Sequence, residues 1–268
     1  MGKPSPFILF LAGLLLNAGY AGLSMASPEL LTAAGQGDLP GVQAQLDQGA
    51  DINYTRPNKT PEYGYRVHTA LENAAGKGQT DIVSLLLKKG ASVRADKWYG
   101  LYAATWAGQQ GHTEIVLLLL DHVKPGADEI NPLFGPALIS AARNGREATV
   151  AQLLDRGLDP DWHTPGDAFP RPAILEASRA QQEKIFLLLL DAGGDPLPYP
   201  QILATAATKG DATLVRRLIS MGMDPNAKNE HGPALSQAAC GYLGSDKEIR
   251  ARINAAIEVL LEAGADVN

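Results

Sequence analysis

The chain has 268 residues, of which 45% are hydrophobic and 6% aromatic, and a formal net charge of -6. That acidic balance speaks against a general nucleic-acid binder, whose surface is basic. The single cysteine, Cys240, excludes an internal disulfide.

The first 26 residues stand apart from the rest. Lys3 supplies a positive start, Phe7–Leu16 is apolar apart from Gly13, and Ser24-Met25-Ala26 puts small residues where a signal peptidase reads. This pattern predicts a secretory signal over residues 1–26, cleaved after Ala26. An uncleaved anchor fits less well, because Phe7–Leu23 is short for a span of roughly 20 residues and is diluted by Asn17 and glycines. No cysteine lies near the cleavage point to accept a lipid. The expected location is periplasmic or secreted, with no membrane contact after cleavage, and one stray thiol is tolerable there.

From Pro28 the chain repeats one pattern. It is clearest over Thr69–Asp96, which reads as helix, tight turn, helix and glycine stop. Leu71, Ala74 and Ala75 give the first helix a small apolar face. Ile82, Val83, Leu85, Leu86 and Leu87 give the second a wide one. Thr80 is the expected cap of the second helix and Gly90 its left-handed stop. Two short helices cannot bury such faces alone, so copies are required on both sides. With the first residue of the Ala-Ala step as marker, copies fall at Ala33, Ala74, Ala107, Ala141, Ala177, Ala206 and Ala238. In five of them a glycine follows 16 residues later: Gly49, Gly90, Gly157, Gly193 and Gly222. Spacing is fixed inside the unit and variable between units, which places the inserts in the connectors.

In chain order, the first unit has the least apolar second helix, with Asp38 as cap and Pro40 in its first turn. A long connector, Tyr54–His68, follows. The third unit ends in the insert DHVKPGADEIN, and the fourth begins at Pro136. The next connector holds Trp162, His163 and Phe169 among prolines. The fifth unit has Gln181 where the others carry a turn glycine, so that turn should be strained. The seventh opens a long helix, Asp246–Ala263, from the capping box Ser245-Asp246-Lys247-Glu248. Arg250, Arg252 and Glu258 are expected on its polar outer side, as in a capping unit.

The helix pair, a period near 33, and the motifs GHTEIVLLLL, LLEAGADVN, QGADIN and MDPNAKN resemble the ankyrin repeat. The family's opening Thr-Pro-Leu-His is degenerate here (TALE, PALI, AILE, QILA, PALS). The resemblance implies an all-α, ankyrin-like solenoid of about seven helix-turn-helix repeats over residues 27–268. It further implies a non-catalytic protein-binding module that uses connector tips and the exposed ends of first helices. By register these are Tyr65, Arg66 and Lys77 in the second unit and Trp98, Tyr99, Leu101, Gln109 and Gln110 in the third. In the fourth they are Leu133, Phe134, Arg143 and Asn144. Phe169, Arg171 and Arg179 follow in the fifth, with Trp162 close by, and Lys209 in the sixth. Aromatics at the tips and a basic row (Lys77, Arg143, Arg179, Lys209) in an acidic chain predict an acidic protein partner.

Catalytic constellations are missing from the sequence. It has no Gly-rich phosphate loop, no Gly-x-Ser-x-Gly and no paired metal-ligand spacing. His112 sits in the Gly-His turn, where bonding to backbone is expected. His163 lies near Asp159, Asp161 and Asp167, but loop carboxylates are usually only solvated. No cofactor or metal is expected. The alternatives are an inhibitor or immunity-type protein that blocks a toxic enzyme, an oxidative-stress protection protein in which Cys240 matters, and, least supported, a metal-dependent enzyme using the His163 loop.

Overall fold

A computed structural model describes residues 28–57, 67–93, 95–96, 100–243 and 246–267. The expected signal segment lies outside these residues. Two compact units divide the chain, residues 1–92 and 93–268.

Among the described residues, the first unit contains two helix pairs. They are α1 (Pro28–Gln36) with α2 (Leu39–Asp47), and α3 (Ala70–Gly76) with α4 (Thr80–Lys88). Helix α1 packs on α3, and each first helix packs on its own second helix. The marker alanines Ala33 and Ala74 are buried, so first helices approach closely. Asp38 caps α2 as expected, accepting the Gly41 N–H at 2.9 Å. Helix α4 differs in detail: Gln79 is its N-cap and Thr80 its first helical residue. Thr69 caps α3 instead, in a complete box with Glu72; the two exchange N–H bonds of 3.2 and 3.0 Å. Both residues are buried, so the box satisfies polar groups that water cannot reach. Gly90 is left-handed at φ 87° and ends α4.

The second unit contains five pairs: α5 (Tyr102–Gln110) and α6 (Thr113–Val123), α7 (Ala127–Arg143) and α8 (Glu147–Asp155), α9 (Ala173–Arg179) and α10 (Glu183–Asp191), α11 (Pro200–Thr208) and α12 (Ala212–Ser220), and α13 (Ala234–Leu243) and α14 (Lys247–Glu262). First helices stack in sequence, α5 on α7, α7 on α9, α9 on α11 and α11 on α13. Their contact line is made of small residues. A Cβ added at Gly108 of α5 would lie 2.9 Å from the Ala137 carbonyl oxygen of α7. Second helices carry the larger side chains. Ile115, Val116 and Leu119 of α6 and Ile185, Phe186 and Leu189 of α10 are all buried.

Helix α7 departs from expectation. The sequence places Leu133 and Phe134 at a connector tip before a helix that starts at Pro136. Instead the helix begins at Ala127 and runs through Pro132 and Pro136. Those prolines remove two helix donors. Burial outweighs the loss: Phe134, Ala137, Leu138 and Ala141 recur at helical spacing and are 0–1% exposed. Glu129 supports the start, accepting the Gly126 N–H. Phe134 is therefore a core residue, and so is Leu101 at 2% exposure.

The turns follow the predicted register. Gly111, Gly145 and Gly210 are left-handed at the helix–helix turns, and Gln181 takes the same conformation at φ 62° without being glycine. At the end of α6, where the stop glycine is missing, Lys124 is left-handed at φ 49°. Helix α14 is the expected long one, capped by Asp246 through the Glu248 and Ile249 N–H groups. Ser245 lies outside the described residues. The middle of α14 presses on the preceding turn, where a Cβ on Gly210 would lie 2.4 Å from the Arg252 carbonyl carbon.

Candidate binding surface

The connectors are held at their feet. Asp51, Asp159, Asp195 and Asp224 each accept the N–H two residues on, folding an Asx turn. At three of the four, the residue two positions after the aspartate then reaches a later segment; Leu197, two after Asp195, has no side chain that can. Asn53 accepts the Ser92 N–H at 2.8 Å in the first unit. In the second unit, Asp161 accepts from Asp195 at 2.9 Å and Asn226 from Asp266 at 2.7 Å. Asn131, within α7, likewise accepts from Asp159 at 2.8 Å. These bonds fix where the connectors they join leave the helices.

The aromatic tips fare differently. Tyr65, Arg66, Trp98 and Tyr99 lie outside the described residues. Phe134 is in the core. Trp162 is half-buried and lies against Gly135 of α7, where an added Cβ would come within 2.1 Å of its ring. Its ring therefore serves packing. Phe169 is the exposed one, at 77%. Asp167 accepts the Phe169 N–H at 3.1 Å, and Gly166 turns left-handed at φ 80° just before it. Pro170 follows, so the backbone around this ring is constrained.

The basic residues sit at first-helix ends. Lys77, in the first unit, is the exposed C-cap of α3. In the second unit, Arg143, Arg179 and Lys209 stand at the C-terminal ends of the successively stacked α7, α9 and α11. A positive charge there also complements the helix dipole. Arg179 is exposed. Arg143 is not free: its Nε donates at 2.6 Å to Oε2 of Glu176 on α9. The Glu176 side chain is only 7% exposed, whereas Arg143 is half-exposed. Oε1 of Glu176 is buried without a partner among the described residues. Lys209 is half-buried, and burial lowers its pKa below the ordinary lysine value, with Glu183 and Asp211 opposing the shift. It lines a cavity of about 60 Å³ with Gln181, Phe186 and Thr205.

Sequence reasoning missed two aromatics on this side. Tyr102 and Trp106 are half-buried on α5, on the same helix stripe as Gln109 and Gln110. Trp106 holds the position just before the marker alanine, equivalent to Glu176. Polar residues at that position in the other units (Thr32, Asn73, Ser140, Thr205, Gln237) are the signal that could have revealed a solvent-facing stripe.

The His163 loop gathers no metal ligands. The Asp159, Asp161 and Asp167 carboxylates accept backbone N–H groups, and no group of three His, Cys, Asp or Glu able to hold a metal occurs among the described residues. His112 is the N-cap of α6 and forms no side-chain cap bond. Cys240 is exposed. Among the described residues, no helix is long and apolar enough to cross a membrane.

Comparison with known proteins agrees with this architecture. A family model described as "Ankyrin repeats (3 copies)" matches residues 30–132. The ankyrin repeat and KH domain-containing protein mask-1 of Caenorhabditis elegans is 26% identical over 249 residues, covering 86% of this chain and 9% of that protein. Ankyrin repeat protein nuc-2 of Neurospora crassa is 37% identical over 95 residues, 35% of this chain and 9% of the relative. The chain thus spans about a tenth of the length of these relatives. The crystal structure of the human ASB11 ankyrin repeat domain superposes with a TM-score of 0.65 at 21% identity, covering 90% of this chain and all of that one. Residues 30–132 thus match ankyrin repeats directly, and the later helix pairs continue in the same register with an ankyrin-like fold.

Proposed function

We propose that this chain is an exported protein-binding module that engages an acidic protein partner through its connector tips and first-helix ends. The observation that carries the reading is Phe169. A large apolar ring left 77% exposed, on backbone constrained by an Asx turn and the following Pro170, contributes little to packing. An exposed, conformationally restricted aromatic is the kind of residue that anchors an interface. Exposed Arg171 and Arg179 on the same repeat, with half-exposed Arg143 before and Lys209 after, supply complementary charge for an acidic surface. Export rests on the sequence pattern of residues 1–26.

The test is capture of partners from a periplasmic extract by residues 27–268, beside Phe169→Ala and Arg179→Glu. Phe169→Ala should weaken capture of a specific partner at least 10-fold with an unchanged melting temperature. Arg179→Glu should slow association, and more so at low salt. Equal capture by all three proteins would overturn the reading of this surface. A captured enzyme whose activity is blocked would identify an inhibitor. Because Cys240 is exposed, Cys240→Ser tests the stress-protection alternative, and unaltered oxidant survival of a host strain carrying it would discard that alternative.

A further inference from the structure

One foot of the connector ladder is chemically unlike the others. Asn53, Asn131 and Asn226 hold the next connector with a neutral carboxamide oxygen. Between the fourth and fifth repeats the same task falls to Asp161, whose two carboxylate oxygens both lie 2.9 Å from the Asp195 backbone nitrogen. The surroundings do not favour that charge. Asp161 is half-buried. Its own connector contributes Asp159 and exposed His163, the following one contributes Asp195, and Tyr199 stands at the start of α11. No charged group of helix α7 is among those acting on Asp161, and its Asn131 binds the neighbouring Asp159 N–H. None of the ion pairs among the described residues includes Asp161.

We propose that this foot is a proton-sensitive latch: proton uptake by Asp161 tightens the junction between the fourth and fifth repeats, and proton loss loosens it. The protonated carboxyl keeps one oxygen to accept the Asp195 N–H. Its lost charge removes the like-charge repulsion from the Asp159 and Asp195 carboxylates and the cost of holding a charge away from water. Burial is the largest influence and raises the Asp161 pKa above the ordinary aspartate value. Asp159 and Asp195 add to the rise, while the Asp195 N–H and His163 oppose it. A carboxyl whose pKa is higher folded than unfolded binds its proton more tightly in the folded chain. Its contribution is fully present below the unfolded pKa and is lost as pH rises through the folded one. Acidification from neutrality therefore firms the base of the connector that carries Phe169.

The test is Asp161→Asn in the full chain, which gives this foot the chemistry of its siblings. At neutral pH the variant should melt about 1–3 °C above the wild type. The gap should close as the pH is lowered toward the ordinary aspartate range, where wild-type Asp161 is protonated as well. Independently, the Asp161 carboxyl carbon followed by NMR in the folded wild type should titrate at higher pH than in a peptide of residues 159–163. A variant that melts below wild type throughout, a gap that does not change with pH, or an Asp161 titration at or below the peptide value would each overturn the latch.

Discussion

Gln181 stands where the other helix–helix turns have glycine, and the backbone there did not change to suit it. The residue is left-handed at φ 62°, in register with Gly111, Gly145 and Gly210. An L-residue in this conformation costs about 1–2 kcal/mol relative to its right-handed form, whereas glycine adopts it freely. Gln181→Gly should therefore stabilise the chain by about 0.5–1 kcal/mol, the balance after glycine's larger loss of freedom on folding. Urea denaturation measures this as a higher midpoint at unchanged slope. A lower midpoint would mean that the glutamine side chain, which lines the cavity beside Lys209, contributes more than the strain costs. Arg143 makes a different point at the same scale. In the sequence it is one cation in a row of four; in the fold its Nε is committed to buried Glu176, so the cations of that row are not equivalent.

At the scale of elements, besides the contacts between second helices, repeat joins repeat through small residues between first helices and through hydrogen-bonded feet between connectors. Asn226 isolates the last. Its side chain accepts the Asp266 N–H at 2.7 Å and donates to the Gly264 carbonyl at 3.0 Å, so one residue holds the segment after α14. Asn226→Ala leaves both backbone groups without that partner, and each such bond is worth about 0.5–1.5 kcal/mol. Amide hydrogen exchange should speed up at Asp266 and in the last turn of α14, while α7 and α9 keep their protection. Uniform acceleration in all helices would show that the foot supports the whole unit. The helix pairs and their left-handed stops were legible in the sequence because small, fixed offsets decide them: the marker alanine, the turn glycine four residues on and the stop glycine at 16. Helix α7 was not, because Pro132 and Pro136 speak against a helix locally and only tertiary burial of Phe134 decides for it. Nor was the burial of Trp162, which depends on the missing side chain at Gly135, a residue 27 positions earlier.

For the whole molecule, the candidate surface divides by the kind of information that specifies it. Charge at first-helix ends is a register property, and the sequence located Lys77, Arg143, Arg179 and Lys209 correctly as C-terminal residues or caps. Which aromatics face solvent is a packing property, and periodicity could not separate Phe134 from Phe169. The ladder adds something that neither the binding surface nor the stack supplies. Where a foot is pinned by a side chain of the preceding segment, the excursion beyond it is free to change. Connectors here already differ in length, and the ladder bond spans 28 residues at one junction and 40 at another with the same geometry. A Gly-Ser-Gly-Ser segment inserted between Pro165 and Gly166 should shift the melting temperature by less than about 2 °C, since doubling a loop costs only about 0.6 kcal/mol. A larger loss would show that the Phe169 connector is itself part of the scaffold. The pinned foot makes each tip a replaceable cartridge: new recognition chemistry can be exchanged one connector at a time, and the folding problem already solved by the helices need not be solved again.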